Sequence, residues 1–479
     1  MIGLAHEMSA TLSDILLRGA AAEAQERACR FGRPVLASVT VQLPYRDALD
    51  FFQRGAALAG DRFFWARPDE SFAMAGVGSA WTLVLHGSGR FEHARAAWRT
   101  LCQEAVLHAG ESPRGTGPAV LGGFSFDPLC PRTPLWDGFP DGLLLLPRYL
   151  LTTAGQTSWL TVNTVVTPDA LPNPVPEGWP DEVVTLLLDS APDGAEPAPV
   201  RETPDLEDAL PPEEWKRTVA SVVQEIRAGR VQKVVLARQA YLHRREPFDP
   251  AHALAQLRRR YPGCFVFAVA RGTRCFLGAS PERLIRLERG AVQVTCLAGS
   301  IARGATPEED ARLGAALLAS EKDRAEHAFV VQALCSRLAE AGVELEPPGV
   351  PRLLKVHHVQ HLFTPLRGRA RGSQSVLDLV ARLQPTPAVG GVPRHVALEL
   401  IRERERLDRG WYAGPLGWMD RHGDGEFAVA IRSALLDGAA ATLFAGCGIV
   451  AGSDPEQEYA EASLKLRPML AALSEETRD

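Results

Sequence analysis

Chemistry-bearing residues concentrate in the second half of the chain, and the sharpest pattern lies near its end. In SDPEQEYAEASLK, Ser453 or Asp454 can cap a helix and Pro455 suits its first position. Glu458, Glu461 and Lys465 then fall at i, i+3 and i+7, within about a 60° sector of one face, with Asp454 on the same side. Such a face is either solvated and laced with ion pairs or part of a site. The apolar run ATLFAGCGIVAG leads straight into it, and Gly446, Gly448 and Gly452 leave room for a ligand beside the backbone. A second helical run, EKDRAEHAFVVQALCSRL, carries Lys322 and Glu326 at i and i+4 with His327 beside them. Those two can form a surface ion pair. If Glu326 instead faced Glu461, two carboxylates plus waters would suit Mg²⁺, which prefers octahedral oxygen ligation.

Two further groups suit proton transfer. Lys233 begins a strand-like run, KVVLAR, in which alternation sets it with Val235 and Ala237 on one face. Desolvation on an apolar face pushes a lysine toward its neutral form, which makes Lys233 a candidate general base. An edge lysine that discourages aggregation is the alternative. In GASPERL, Glu282 follows a proline at a strand end, where a buried carboxyl could act as a general acid or pair with Arg283 or Arg286. The loop QPTPAVGG (Gln384 to Gly391) and the run LAGS (Leu297 to Ser300) could each offer backbone N–H groups to an anion, or simply turn the chain.

Lysine usage sharpens this set. The chain has five lysines, Lys216, Lys233, Lys322, Lys355 and Lys465, against a large excess of arginine. Arginine stays protonated, whereas lysine can lose its proton, so each of the five is either a chance survivor or a position where arginine cannot substitute.

The elements that must position these groups can be read from periodicity. Pro211 and Pro212 open a helix whose stripe is Trp215, Val219, Val222, Val223 and Ile226, ending at Gly229. A strand follows at VQKVVLARQAYLH, then a short helix ending at YPG. Strands are expected at CFVFAVA, RCFLGAS, RLIRLER and AVQVTCL, the last two joined by a tight Arg-Gly turn. A helix runs from Ser320 to about Ala341. Strands around LFTPLRGRA, YAGPLGWMD, EFAVAIRSALL and ATLFAGCGIV precede the last helix, with a hairpin signal at HGDGE. Before all this, PVLASVTVQL, RFFWARP and AWTLVLHG read as strands and HARAAWRTLCQEAVLHAG as a helix. Pro168 to Pro212 is rich in Pro, Asp and Glu and reads as irregular connection, with VVTLLLD a short helix inside it. The chain thus divides into an N-terminal α/β region, 1–204, packed on a catalytic region, 205–479. The fold class is α+β with antiparallel sheets.

Composition narrows the function classes. The 479 residues can bury a large core, and 46% hydrophobic with 23% charged residues is ordinary for a globular protein. A net charge of −6 with no Lys/Arg run argues against a nucleic-acid partner. The eight cysteines form no C-x-x-C pair, so neither a zinc site nor a disulfide framework is indicated. No signal peptide is expected at MIGLAHEMSATLSD, and the uncharged stretch Gly438 to Ser453 is too short to span a membrane. A cytoplasmic protein fits these features.

In their order, KVVLAR, ASPERL, AGS, KDRAEH, VQHL, PTPAVGG, RGWYAGPLG, GEFAVAIRSALL and GCGIVAGSDPEQEYAEASLK resemble the chorismate-utilising family. That family includes anthranilate synthase component I, aminodeoxychorismate synthase component I, salicylate synthase and isochorismate synthase. The resemblance covers roughly Pro211 to Leu473. It implies antiparallel sheets packed as a sandwich and flanked by helices. It implies Mg²⁺ held by Glu326 and Glu461, with Glu458 nearby through water. It implies that the ring carboxylate of chorismate meets the ion and backbone N–H groups near Gly299, Ser300, Gly446 and Gly448. Tyr412 and Arg432 would hold the enolpyruvyl carboxylate, Lys465 would join the substrate-binding set, and His361 would lie near the leaving hydroxyl.

The Lys233 position separates the members: those that add water resemble this chain, and those that add ammonia carry other residues and use a glutaminase partner. The resemblance therefore implies an isomerase of the isochorismate synthase type, with Lys233 as base and Glu282 as acid, no glutaminase subunit and a monomer. Menaquinone biosynthesis is the expected pathway. Salicylate synthase and a siderophore isochorismate synthase are the alternatives. Gln384, where histidine is frequent before PTPAVGG, and Cys447, where GAGIV would have alanine, depart from the pattern.

Overall fold

The computed structural model describes residues 2–58, 60–110, 113–170, 179–187, 206–356 and 359–474. Its strands form one continuous antiparallel network folded over into two layers, with a single parallel pair, Val35–Pro44 with Val106–His108. The first layer runs from that pair through Thr157–Val166, one end of Gly142–Ala154 and of Phe72–Leu85, Arg62–Arg67, Phe265–Arg271, Arg274–Ser280, Ser433–Asp437 and Ala440–Ile449 to Lys233–His243. The second runs from the other end of Gly142–Ala154 through Ala119–Phe124, Pro415–Asp420, Gly425–Val429, Arg283–Glu288 and Ala291–Ala302 to Val359–Ala370. The long strands Phe72–Leu85 and Gly142–Ala154 join the layers, and their register shifts between Ser79 and Trp81. Extra residues in one strand of a pair bend it, which is what a strand shared by two layers requires.

Strand alternation decides what each face buries. Phe63 and Trp65 enter the larger core with Phe267, Phe276, Trp418 and Phe427, between the layers. Their neighbours Phe64 and Ala66 turn the other way, joining Val266, Ala268 and Leu277 beneath the helices Ala48–Arg54, Pro250–Arg260 and Pro455–Leu473. The second layer is backed by Arg90–Cys102, Glu321–Glu340 and Val376–Leu383.

Several expected elements are present. The helix Pro212–Arg227 buries the stripe Trp215, Val219, Val222, Val223 and Ile226. Glu321–Glu340 starts at an Ser320 cap whose side chain accepts from the Asp323 N–H. The Arg289-Gly290 turn has φ of 49° and 81°, the left-handed pair that a two-residue hairpin favours. Two expectations need correction. EFAVAIRSALL is not one strand but two, Gly425–Val429 and Ser433–Asp437, which lie in different layers with Arg432 in the link between them. HARAAWRTLCQEAVLHAG is a helix only through Cys102; Val106–His108 is a strand that extends the sheet beside Val35–Pro44. The apolar run in the connection is helical, Trp179–Leu187. The expected boundary at 204/205 lies outside the described residues. The two regions share ladders across it: Arg62–Arg67 pairs with Phe265–Arg271, and Ala119–Phe124 with Pro415–Asp420.

Candidate active site

Every residue expected to touch metal, substrate or a moving proton lines one cavity of about 140 Å³. Lys233 enters from the first position of its strand, and Glu282 from the link between Arg274–Ser280 and Arg283–Glu288. Gly299 and Ser300 sit where Ala291–Ala302 shifts register against Val359–Ala370, so that Ser300 lies opposite His361. Gly299 has φ of 80°, a conformation that favours glycine. Glu326 comes from Glu321–Glu340, and Glu458, Glu461 and Lys465 from Pro455–Leu473. Gly446 and Gly448 line it from Ala440–Ile449. Tyr412 and Arg432 reach it from loops.

The polar contacts are specific. Lys233, 6% exposed, sets its Nζ 2.6 Å from Glu326 Oε1. Lys465 Nζ lies 2.6 Å from Glu461 Oε1 and donates to the Gly446 carbonyl at 3.0 Å. A Cβ on Gly448 would lie 2.8 Å from Lys233 Cε, so the lysine occupies space that any other residue there would take. His361 Nδ1 meets Ser300 Oγ at 2.8 Å, while its buried Nε2 has no partner among the described residues. Beside Glu326, His327 is tied to the Ala298 carbonyl and to Thr364 Oγ1 at 2.8 Å, which fixes that turn of helix against the cavity strand.

Burial controls the protonation of these groups. It pushes Glu282 up to about 7, against the pull of Lys233, Arg432 and Thr386. It drives His361 well below its ordinary value, helped by Arg432 and Lys465, so the ring is neutral. Burial would raise Glu461 too, but Lys465, Arg432 and Lys233 together hold it below the usual carboxylate value. Burial raises Glu458, with Ser453 opposing. Burial also raises Tyr412 and lowers Arg432.

Some sequence expectations resolve differently from their simplest form. Glu326 pairs with Lys233 on another element rather than with Lys322 on its own helix, and Lys322 lines the cavity. Arg283 pairs with Glu426 and Glu70, and Arg286 with Glu288 and Glu70, which leaves Glu282 to the cavity. The Asp454 carboxylate caps its own helix, accepting from the Glu456 and Gln457 N–H groups. In QPTPAVGG the N–H groups of Val389 and Gly390 are used within the loop, both donating to the Thr386 carbonyl, and Ala388 and Val389 line the cavity. Asp323, Pro281 and Ile431 also line the cavity without having been singled out, although Asp323 lies in the KDRAEH run.

The cavity pairs a carboxyl that titrates near neutrality with a buried amine, and surrounds them with cations able to hold a carboxylate-bearing ligand. Among the described residues no three His, Cys, Asp or Glu side chains are grouped tightly enough to enclose a metal alone. Mg²⁺ commonly takes one or two protein carboxylates and keeps several waters. The Glu326 and Glu461 carboxylates, facing one cavity from two helices, fit that donor chemistry.

Comparison with known proteins agrees with this geometry. Residues 22–474 match the family described as chorismate binding enzyme. Isochorismate synthase MenF of Bacillus subtilis is 38% identical over 464 residues, 95% of this chain and 97% of that protein. The salicylate biosynthesis isochorismate synthase of Pseudomonas aeruginosa is 39% identical over 461 residues, 96% and 94% of the two chains. The solved structure of MenF, the menaquinone-specific isochorismate synthase of Escherichia coli, superposes with a TM-score of 0.75 at 27% identity, covering 94% of this chain and all of that one. Anthranilate synthase component I of Streptococcus pneumoniae, at 22% identity and TM-score 0.68, shares the fold. With motifs, cavity and near-full-length similarity in agreement, the chain belongs to the chorismate binding enzyme family.

Proposed function

We propose that this protein is an isochorismate synthase, an Mg²⁺-dependent isomerase that interconverts chorismate and isochorismate. The observation that carries the reading is the meeting of Lys233 and Glu282 on one cavity, with Glu282 poised near pH 7. Water delivers its oxygen to ring C2 while Lys233 accepts its proton. The ring double bonds shift, the C4–O bond breaks, and Glu282 donates the proton with which that hydroxyl departs as water. Atoms balance without an oxidant or a second substrate, as an isomerase requires, and the same two groups serve the reverse direction with exchanged roles. Lys233 is ion-paired with Glu326, so the amine acts as base only once that contact loosens.

Arg432 and Tyr412 hold the enolpyruvyl carboxylate, for which a guanidinium fork is suited. The unpartnered His361 Nε2 is available to the hydroxyl at C4. Backbone groups at Gly299, Ser300, Gly446 and Gly448, with Lys465, receive the ring carboxylate. Glu326, Glu461 and Glu458 would hold the Mg²⁺, whose positive charge would neutralise that carboxylate when bound.

No glutaminase subunit is required for addition of water, and we propose a cytoplasmic monomer. Among the described residues no helix is long and apolar enough to cross a membrane. We assign the product to menaquinone biosynthesis, by analogy with the structurally similar Escherichia coli enzyme, described as menaquinone-specific. A menaquinone requirement on gene deletion would support that assignment, and a siderophore requirement alone would overturn it. The reaction itself is tested with purified protein, chorismate and Mg²⁺, separating products and assaying pyruvate. Isochorismate at equilibrium with chorismate is expected. Salicylate with stoichiometric pyruvate would make the protein a lyase, and dependence on added ammonia would remove Lys233 from the base role.

A further inference from the structure

The strand that carries Lys233 has an incomplete edge. On one side it is paired along its length with Ala440–Ile449. On the other, Gly391–Val392 covers only Lys233 and Val234, and Leu206–Asp208 covers only Ala240 to Leu242. Between these short partners the Val235 N–H still donates to the Gly390 carbonyl at 2.9 Å, but the Val235 carbonyl and both backbone groups of Ala237 would be orphaned in a buried setting, which is costly.

Side chains take the place of the missing strand. Arg409 Nη2 donates to the Val235 carbonyl at 2.7 Å, Glu405 Oε2 accepts from the Ala237 N–H at 2.7 Å, and Trp215 Nε1 donates to the Ala237 carbonyl at 2.9 Å. Arg409 and Glu405 are joined two-fold, at 2.6 and 2.5 Å, and are 3% and 4% exposed. The same guanidinium donates through Nη1 to the Val389 carbonyl at 2.9 Å and lies over the Phe126 ring. Its own carbonyl accepts from the Tyr412 N–H at 2.8 Å. One buried ion pair therefore ties together three cavity walls: the Lys233 strand, the loop bearing Val389 and the segment bearing Tyr412.

A buried ion pair is weak evidence for stability, because apolar side chains of similar size often serve as well or better. What apolar residues cannot do is fix several acceptors at set distances, as a planar guanidinium does. We infer that Arg409 and Glu405 are positioning residues for the proton-transfer apparatus, holding the Lys233 strand in register with the Val389 loop and Tyr412. The inference rests on the assignment of Lys233 as base. Neither residue lines the cavity, so both act through their neighbours.

The test is Arg409→Lys, which keeps the charge and loses the fork, assayed for kcat and KM alone and combined with Lys233→Ala. A displacement near 1 Å at a reacting group costs about 10²-fold in rate. The expected kcat is about 10- to 100-fold lower, with KM for chorismate within about threefold and an unfolding temperature showing a folded enzyme. The double variant should be no slower than Lys233→Ala. A loss that multiplies fully on Lys233→Ala would show a merely structural role and overturn the inference. So would wild-type kcat for Arg409→Lys beside a slow Lys233→Ala, which leaves the base assignment intact. Near-normal turnover of Lys233→Ala would sink the base assignment and the inference with it. If Arg409→Lys does not fold, Glu405→Gln carries the same test, since its amide oxygen can still accept from Ala237.

Discussion

Two charged clusters within this sandwich are built from different cations. At the cavity, carboxylates meet lysines: Glu326 with Lys233, and Glu461 with Lys465. Where the N-terminal region joins the second layer, carboxylates meet arginines: Glu70 with Arg114, Arg283 and Arg286, and Glu426 with Arg283. An arginine fork fixes geometry and keeps its charge, whereas a lysine is a point donor on a flexible stem that can change partner or give up a proton. The first cluster is suited to exchange and the second to permanence. This explains why a chain so poor in lysine retains three of them at one cavity.

The largest effect that could break this comparison is Lys233→Arg. It preserves charge and the pair with Glu326, yet turnover should fall about 10²–10⁴-fold because the side chain cannot serve as base. Near-wild-type turnover would show that the cation alone matters. Glu282→Gln should lower turnover by at least about 10²-fold, through loss of a general acid. In the wild type, the acid must carry its proton, and burial sets its titration near 7. Turnover needs Glu282 protonated and Lys233 neutral at once, so the rate should follow a bell with one limb set by Glu282 near pH 7; a flat profile from pH 6 to 9 would exclude Glu282. Glu461→Gln should weaken Mg²⁺ activation, displacing the metal titration about tenfold or more, and an unmoved midpoint would remove it from the ligand set. Arg283→Lys, in the arginine cluster, should leave turnover within about twofold while lowering stability by about 1–3 kcal/mol, measured by urea unfolding. A large loss of turnover with unchanged stability would show that the clusters do not divide the work in this way.

Much of the site was legible before any coordinates. Proline and acidic residues at helix starts, helical spacing of Glu458, Glu461 and Lys465, and the KVVLAR strand are local signals, and local signals survive in a sequence. Tyr412 and Arg432 were reachable only through resemblance, because the runs that hold them read as strands whereas both residues lie in the loops beside those strands. The Lys233–Glu326 pair was hidden because i,i+4 spacing offered Glu326 a nearer partner in Lys322. Arg409 opens the RGWYAGPLG run without any sign of its role, and Glu405 carried no signal at all: they complete a sheet edge assembled from strands far apart in the chain. In the N-terminal region, the helix Ile2–Phe31 buries a stripe made mostly of alanine, Leu17, Ala20, Ala21, Ala24 and Ala28, which stands out little from its alanine-rich surroundings, and the short strand Val106–His108 continues an apolar run that a helix explains equally well. Both owe their form to neighbours rather than to their own periodicity.

The ladders that cross between the two regions have a consequence for synthesis. Arg62–Arg67 and Ala119–Phe124 leave the ribosome long before Phe265–Arg271 and Pro415–Asp420, the strands that pair with them. At ~5–20 residues per second the first pair of edges waits roughly 10–40 s and the second somewhat longer. Through that interval each presents an unpaired ladder to any other nascent chain nearby. The N-terminal region is thus born as an open sheet, and the enzyme's demand for chaperones during translation should be set by these two waiting edges more than by its size.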